Sequence, residues 1–301
     1  MRILSFGEII WDIIGAQEFL GGAPLNFALN AARLGHSVSP ISAVGADERG
    51  ARAREMVSAR GLDASFLFPV ADAPTGTATV QLDENGVAQF VIRHPAAYDF
   101  VALDDSDVQR LVNAVPQWLY FGTLFSISEV CRGSLERLAQ AVPNAKRFYD
   151  VNLRPQHWSA ALVRELLSMA DVVKLNADEV RELSGVLGFP DDVEGFARAC
   201  VAEFGSSLVC VTLGENGCSL LLRGQFLTVP GFKVRVADTV GSGDAFAAAL
   251  LHGLDQEWEP ERIGRFANAA GALVASRSGA NPDWTVEECE AMVREAMISR
   301  G

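Results

Sequence analysis

The feature that most constrains the fold is an alternation of short apolar or β-branched runs with segments of helical periodicity, repeated along most of the 301 residues. Each run but the last is followed by a helical segment. Repeated βα units predict a mainly parallel sheet with helices on both faces, and ligands usually bind beyond the carboxyl ends of its strands. The predicted strands are 2–10, 37–45, 117–122, 146–152, 170–176 and 206–214.

Two hairpins interrupt this alternation. Asn85-Gly86 separates two alternating runs within residues 75–94, which is the pattern of a hairpin with a primed turn. A second hairpin, around 215–217, is predicted to close the far edge of the sheet. No internal repeat or linker composition divides the chain. We therefore expect one α/β domain over 1–301, with a small β lid formed by about 13–20 and 75–94.

The charge and the cysteines narrow the function classes. A net charge of −13 disfavours nucleic acid and membrane surfaces as partners. No uninterrupted apolar stretch is long enough to span a membrane. Glu8 and Asp12 interrupt the first apolar run, which favours a strand over a signal peptide. The five scattered cysteines, with no CxxC pair, predict reduced thiols in a cytoplasmic protein.

Several common catalytic motifs are missing from the sequence. It contains no GxxxxGK[ST], no HExxH and no GxSxG. The full GxGxxG pattern of dinucleotide-binding domains is also missing, which leaves a dehydrogenase as the weakest of the functions considered.

The segment ADTVGSGDAF, residues 237–246, opens an apolar helical stretch. Glycine-rich backbone entering a helix exposes N–H groups at the positive end of the helix dipole, which suits a phosphate. Asp244 could be only an N-cap. A cap, however, does not require glycine at both 241 and 243, and these glycines indicate close approach by a ligand. Beside such an anion hole, Asp244 could accept a proton from a hydroxyl group.

Three further junctions each allow a structural and a functional interpretation. GGAPLN (21–26) fits a tight turn before a Pro-started helix, or a close approach of backbone to substrate. DVNLR (150–154) fits a solvated loop, or a loop that presents Arg154 to a phosphate or carboxylate. NADE (176–179) fits a capping box, or a site for phosphate or metal-bound water.

Taken together, these segments resemble the ribokinase-like (PfkB) carbohydrate kinases. DTVGSGDAF resembles the C-terminal signature of that family, and GGAPLNFALNAARLG resembles its N-terminal signature. VGADERG (44–50), DVNLR, NADE and VTLGENG (211–217) follow the family's order across essentially the whole chain. The resemblance implies a three-layer αβα sandwich with a β lid. It also implies ATP-dependent phosphorylation of a sugar or nucleoside hydroxyl.

The resemblance also implies roles for individual residues. The catalytic set is Asp244 as base, the amides of Gly241, Ser242 and Gly243 as anion hole, and Arg154 at the phosphoryl group. The implied binding residues for the substrate hydroxyls are Asp12, Gly21, Gly22 and Asn26. Those implied for the nucleotide are Asn176, Thr212, Gly214, Gly217 and Asn268. Glu179 is implied to hold Mg²⁺ through water, and the implied site for a monovalent cation such as K⁺ consists of Asp238, Val240, Ala275 and Ser278.

Two departures from ribokinases make ribose a poor candidate. Ala23 stands where they carry a lysine, and Ile10 where they carry an asparagine. GGAPLN together with Trp11-Asp12 is most similar to bacterial fructokinases, so fructose is the expected substrate. Another ketose, 2-keto-3-deoxygluconate, a nucleoside, or a non-catalytic sensor on the same fold remain alternatives. A carboxylate at a helix N-terminus is expected to be a weak base. The lid could pair across a homodimer or only cover the sugar.

Overall fold

The computed structural model describes residues 1–82 and 88–298, with the side chains of 1–79 and 91–296. The strands are β1 (Arg2–Phe6), β2 (Ile10–Ile14), β3 (Gln17–Gly21), β4 (Ser37–Gly45), β5 (Leu67–Val70), β6 (Gly76–Leu82), β7 (Ala88–Ile92), β8 (Trp118–Gly122), β9 (Lys146–Asp150), β10 (Val172–Asn176), β11 (Leu208–Thr212), β12 (Cys218–Leu222) and β13 (Gln225–Val229). The α-helices are α1 (Ala23–Arg33), α2 (Glu48–Ala59), α3 (Asp105–Asn113), α4 (Glu129–Ala141), α5 (Ala160–Met169), α6 (Ala177–Leu187), α7 (Val193–Phe204), α8 (Ser242–Asp255), α9 (Pro260–Ala275) and α10 (Val286–Ile298).

The large sheet has nine strands in the order β13-β12-β11-β10-β9-β8-β1-β4-β5. The seven neighbouring strands β11, β10, β9, β8, β1, β4 and β5 pair in parallel. Strands β12 and β13 extend the sheet at the β11 edge, and both of their pairings are antiparallel. The predicted parallel sheet and the hairpin around 215–217 are confirmed. The outermost edge is β13, which was not predicted.

The two faces of this sheet carry separate hydrophobic cores because successive strand residues point to opposite sides. In β11, for example, Leu208 and Cys210 belong to the core that includes α1, α8 and α9. Val209 and Val211 belong to the core that includes α4 to α7. The three-layer αβα sandwich is therefore confirmed.

The small sheet has the order β3-β2-β6-β7, with β2 and β6 parallel and the other pairs antiparallel. Strands β6 and β7 pair as the first predicted hairpin requires; its turn, Asn85-Gly86, lies outside the described residues.

The prediction of one continuous strand over 2–10 is wrong. The chain leaves the large sheet after Phe6 and enters the small sheet at Ile10. Gly7 begins the connecting segment and packs against the ring of Pro24, where a Cβ would collide. Both halves are apolar and buried, so their periodicity carries no sign of a change of sheet. Residues 7–9 consequently pass between the two sheets.

Strand β1 lies at a topological switch point: β4, the next strand of the large sheet along the chain, pairs with it on one side, and β8, which comes later, pairs with it on the other. In parallel sheets the crevice beyond the carboxyl ends at such a point is the usual ligand site. The segments that follow β1, β8 and β9 meet there. Within the described residues, no helix is both long enough and apolar enough to cross a membrane.

Candidate active site

Helix α8 begins with an exposed turn of backbone at the carboxyl edge of the large sheet. Its N-cap is Gly241, in the left-handed region with φ of 78°, and a Cβ there would collide with the carbonyl of Ala280. The amide of Ser242 donates to the carbonyl of Thr239 at 3.2 Å. In the described part of the chain, the amides of Gly241 and Gly243 have no acceptor. Two of the three predicted anion-hole amides therefore remain for a ligand.

Asp244 is not the cap of this helix. It is the third residue of α8, its side chain makes no capping bond, and it is buried with 8% exposure. Its Oδ2 accepts a hydrogen bond from Asn26 Nδ2 at 2.8 Å. Burial, aided by repulsion from Asp150, raises the pKa of Asp244 to about 6. The expected weak base is thus wrong, because desolvation and the repulsion of Asp150 outweigh the groups that lower this pKa, Lys174, Asn26 and Arg154.

A buried ion pair lies next to the first turn of α8. Lys174 Nζ is 3.0 Å from both carboxylate oxygens of Asp150, and the hydroxyl of Tyr120 donates to Asp150 Oδ2 at 3.0 Å. A Cβ built on Gly243 would lie 3.4 Å from Lys174 Nζ. Burial alone lowers the pKa of Lys174, but Asp150 and the other nearby carboxylates raise it above its usual value. This pair was not predicted, and a lone lysine inside the apolar strand β10 was its signal.

The predicted substrate residues converge beside Asp244. A Cβ on Gly21 would lie 3.0 Å from Asp12 Oδ2 and 3.8 Å from Asn26 Oδ1. Gly22 caps α1 with φ of 106°, and its Cα approaches the carbonyl of Glu8 so closely that a side chain would collide. Burial raises the pKa of Asp12 to about 6, against the attraction of Arg154.

Arg154 lies near three carboxyl groups. Its Nη1 donates to Asn152 Oδ1 at 2.8 Å, and its charge acts on Asp12, Asp244 and Glu8. Glu8 was not predicted as a site residue. It is 5% exposed, and burial raises its pKa to about 7. Glu8 and Arg154 share a cavity, whose other lining residues are Ala23, Pro24, Tyr120, Gly122, Thr123, Leu124, Asp150 and Asn152.

Asn176 and Glu179 form the predicted capping box. Asn176 Oδ1 accepts from the amides of Asp178 and Glu179, both at 2.9 Å, and Glu179 Oε2 accepts from the amide of Asn176 at 2.7 Å. Glu179 Oε1 accepts from the amide of Leu153 at 2.7 Å, which ties the loop bearing Arg154 to α6. With both oxygens already bonded, Glu179 fits Mg²⁺ held through water better than Mg²⁺ bound directly. Among the described residues, no group of three His, Cys, Asp or Glu could hold a metal.

The remaining nucleotide candidates lie around the end of β11. Thr212 ends that strand, and Gly214 (φ 59°) opens the turn to β12. Gly217 has φ of 99° and packs against the backbone at Gly231. Asn268 Nδ2 donates to the carbonyl of Val229 at 3.1 Å, so the amide of Asn268 fixes the end of β13.

The monovalent-cation candidates lie on two adjacent segments, 237–241 and 275–280. Asp238 Oδ1 accepts from the amide of Val240 at 3.0 Å, and its Oδ2 from the amide of Gly279 at 3.2 Å. The carbonyl of Ala275 accepts from the amide of Asp238 at 3.3 Å. Ser278 follows in the same segment. Carboxylate and carbonyl oxygens are the donors that hard cations prefer, so the donor set fits such an ion.

Comparison with known proteins identifies the family. A model of the pfkB family carbohydrate kinases matches residues 3–286. The chain belongs to this family. The kinase is 30% identical to fructokinase-1 of Zea mays, with 95% of each chain covered. It is 32% identical to the fructokinase of Escherichia coli, covering 93% of this kinase and 94% of the relative.

A solved structure agrees with that assignment. The ATP-bound fructokinase of Xylella fastidiosa superposes on this kinase with a TM-score of 0.82 at 27% identity, covering 98% and 99% of the two chains. The predicted sugar phosphotransferase on a ribokinase-like fold is thus confirmed at the level of the family. The roles of the individual site residues stay predictions.

Proposed function

We propose that this carbohydrate kinase transfers the γ-phosphate of ATP to a hydroxyl group of fructose, with Asp244 as the base. The observation that carries the proposal is the 2.8 Å hydrogen bond from Asn26 to Asp244. It joins the cluster of Asp12, Gly21 and Asn26 to the helix that bears the free amides. The proposed sugar site and the proposed phosphate site therefore share one boundary, at Asp244. The fructokinase relatives support fructose as the sugar.

In this mechanism the sugar hydroxyl lies between Asp244 and the γ-phosphate. Its oxygen attacks phosphorus, its proton passes to Asp244, and the bond from phosphorus to the β-phosphate oxygen breaks to release ADP. Because the pKa of Asp244 is about 6, the carboxylate is mostly ionised above pH 7 and ready to accept that proton. The amides of Gly241 and Gly243 and the guanidinium of Arg154 stabilise charge on the transferred group.

Two cations complete the proposal. Mg²⁺ supplies charge neutralisation on the nucleotide phosphates, and water hydrogen-bonded to Asn176 and Glu179 would position it. Thr212, Gly214, Gly217 and Asn268 would border the nucleotide. A monovalent cation such as K⁺ would bind the oxygens of Asp238, Val240, Ala275 and Ser278 behind the anion hole.

The charges around the cavity favour a neutral sugar. Glu8, Asp150 and Arg154 line it, and Asp12, Asp244 and Lys174 interact electrostatically with these lining residues, so the group holds four carboxyl groups and two cationic side chains. When all are ionised, negative charge exceeds positive charge, so a sugar acid such as 2-keto-3-deoxygluconate would be repelled.

The small sheet is the lid in this proposal, and the chain is one catalytic domain. By strand register, Asp12 pairs with Phe19, so both side chains lie on one face of that sheet. Phe19 is 43% exposed and is placed to cover a bound sugar. A homodimer through the lid is the alternative use of this surface. The five unpaired, buried cysteines support a cytoplasmic location.

A panel of acceptors tests the function directly. ADP release is measured with fructose, other ketoses, 2-keto-3-deoxygluconate and nucleosides, for the native enzyme and for Asp244→Asn. We expect fructose to give the highest kcat/KM, and Asp244→Asn to lose at least two orders of magnitude in kcat while keeping its fold. A higher kcat/KM for a sugar acid or nucleoside would overturn fructose. Absence of ADP release with every acceptor would favour a sensor, and near-normal turnover of Asp244→Asn would remove the base.

A further inference from the structure

A chain of side-chain hydrogen bonds runs from the C-terminal segment of the structure to Asp244. Trp284 Nε1 donates to Asn30 Oδ1 at 2.7 Å. Asn30 Nδ2 lies 3.4 Å from Asn281 Oδ1, and Asn281 Nδ2 lies 2.5 Å from Asn26 Oδ1. Asn26 Nδ2 then donates to Asp244 Oδ2 at 2.8 Å. Three amides thus link an indole to the proposed base.

The direction of this chain is fixed at its far end. An indole N–H can only donate, and so can the guanidinium of Arg33, whose Nη1 lies 3.1 Å from Asn30 Oδ1. Asn30 must therefore turn its oxygen toward these two donors. Its nitrogen then donates to the backbone carbonyl of Asn26 at 2.8 Å, a group that can only accept, and to Asn281 Oδ1.

The same logic continues to the base. With its oxygen accepting from Asn30, Asn281 can offer only an N–H to Asn26. Asn26 must then accept with its oxygen and present its own N–H to Asp244. Asn26 and Asn30 are buried, at 4% and 0% exposure, so water does not compete for these bonds as it would at the surface.

We propose that Asn281 is a positioning residue: it locks the amide of Asn26 in the orientation that donates to Asp244 Oδ2 and leaves Oδ1 for the sugar hydroxyl. This inference rests on the proposed role of Asp244 as base. Among the described residues, Asn26 is the only side chain that hydrogen-bonds to Asp244. The proton of the sugar hydroxyl would therefore pass to Oδ1, while Oδ2 stays held.

This chain of hydrogen bonds, the amide relay, also reaches the segment that supports the anion hole. Ala280, next to Asn281, contacts Gly241 through its backbone. A shift of this segment would therefore move the phosphate-binding turn and the orientation of the base together. Nothing in the sequence GANPDW identified Asn281, because its partners lie more than 250 positions earlier in the chain.

The acid limb of the plot of kcat/KM for fructose against pH provides a readout. A merely structural role of Asn281 would not move this limb. The hydrogen bond from Asn26 lowers the pKa of Asp244 against burial and the repulsion of Asp150. Other titratable or charged groups that act on Asp244, or on which it acts, are Glu8, Tyr120, Asp150, Arg154 and Lys174. Asn281 is not titratable, so its replacement changes this limb only through Asn26.

The test compares kcat/KM for fructose against pH in Asn281→Ala, Asn281→Asp and the control Asn113→Asp. Asn113 is an exposed amide in α3, outside the site. Asn281→Ala should weaken the hydrogen bond from Asn26 to the charged Asp244, and we expect it to raise the acid limb by about half a pH unit. Asn281→Asp should reverse the orientation of the Asn26 amide, and we expect it to raise the acid limb by about one unit. The control should leave the limb in place. Asn281→Ala decides the matter if Asn281→Asp does not fold.

Two outcomes separate this inference from the proposed function. If Asp244→Asn is inactive but both Asn281 variants keep the native acid limb, the relay is wrong and the base assignment stands. If Asp244→Asn turns over normally, the base assignment fails and the relay fails with it.

Discussion

Lys174 holds both carboxylate oxygens of Asp150 at 3.0 Å, inside the sheet and beside the first turn of α8. Removal of one partner from a buried ion pair leaves the other charge without compensation, which typically costs 3–5 kcal/mol. Lys174→Met should therefore lower the free energy of unfolding by roughly that amount. Urea denaturation measures it.

Lys146→Met is the matched control for this prediction. Lys146 is exposed, and its Nζ lies 5.3 Å from the ring of Trp118. The loss there should stay within about 1 kcal/mol. Similar losses for the two lysine variants would mean that the buried pair has no special weight.

The acid limb of kcat/KM should lie near pH 6, because the base must be ionised and the pKa of Asp244 is about 6. An ordinary aspartate would place that limb near pH 4. Asp150→Asn should move the limb downward, since it removes a repulsive charge while Lys174 keeps its attraction. Measurement of kcat/KM from pH 4.5 to 9 at saturating MgATP checks both statements. An upward shift in Asp150→Asn would contradict the electrostatic explanation.

Glu8 should limit the stability of the unliganded kinase at alkaline pH. Its pKa is raised from 4.5 to about 7 by burial, so the folded state binds the proton more tightly than the unfolded chain. The resulting stabilisation is complete below pH 4.5 and is lost as the pH rises through 7. Glu8→Gln should thus raise the Tm at pH 8 by a few degrees and change it little near pH 4.5. Equal effects at the two pH values would show that ionisation is not the cause.

Close approach, rather than backbone conformation alone, should explain Gly241. Its φ is 78°, and Gly188 has nearly the same value, 74°, but with open space around its Cα. Alanine at 188 should cost about 1–2 kcal/mol, the usual penalty for that conformation. Gly241→Ala should cost more and should also lower kcat by an order of magnitude or more, because the new Cβ displaces either the turn or Ala280. Thermal melts and steady-state kinetics of both variants compare them, and indistinguishable variants would remove the close-approach argument.

The sequence predicted the parts of this molecule that depend on local chemistry. Alternating periods predicted the layers, and the spacing in NADE predicted the bonds between Asn176 and Glu179. Contacts between segments that are distant in the sequence could not be predicted in this way. Gly7 packs against the ring of Pro24, which lies in helix α1, and the pKa of Asp244 in helix α8 depends on Asp150 at the end of strand β9. Burial of charge is set by tertiary packing, and one sequence does not report it.

The two faces of the small sheet should respond differently to the same kind of change. Phe19 and Val91 are both 43% exposed, but Phe19 pairs with Asp12, whereas Val91 pairs with Thr79, which in turn pairs with Ile13. The two side chains therefore lie on opposite faces. Phe19→Ser should raise the KM for fructose several-fold and leave the KM for ATP unchanged, because it uncovers the sugar. Val91→Ser should leave both constants unchanged.

Sedimentation of the two variants at assay concentration checks whether the small sheet instead forms a dimer interface. A dimer that dissociates in only one of the variants would assign that face to the interface. Equal increases in both KM values for Phe19→Ser would contradict a lid over the sugar.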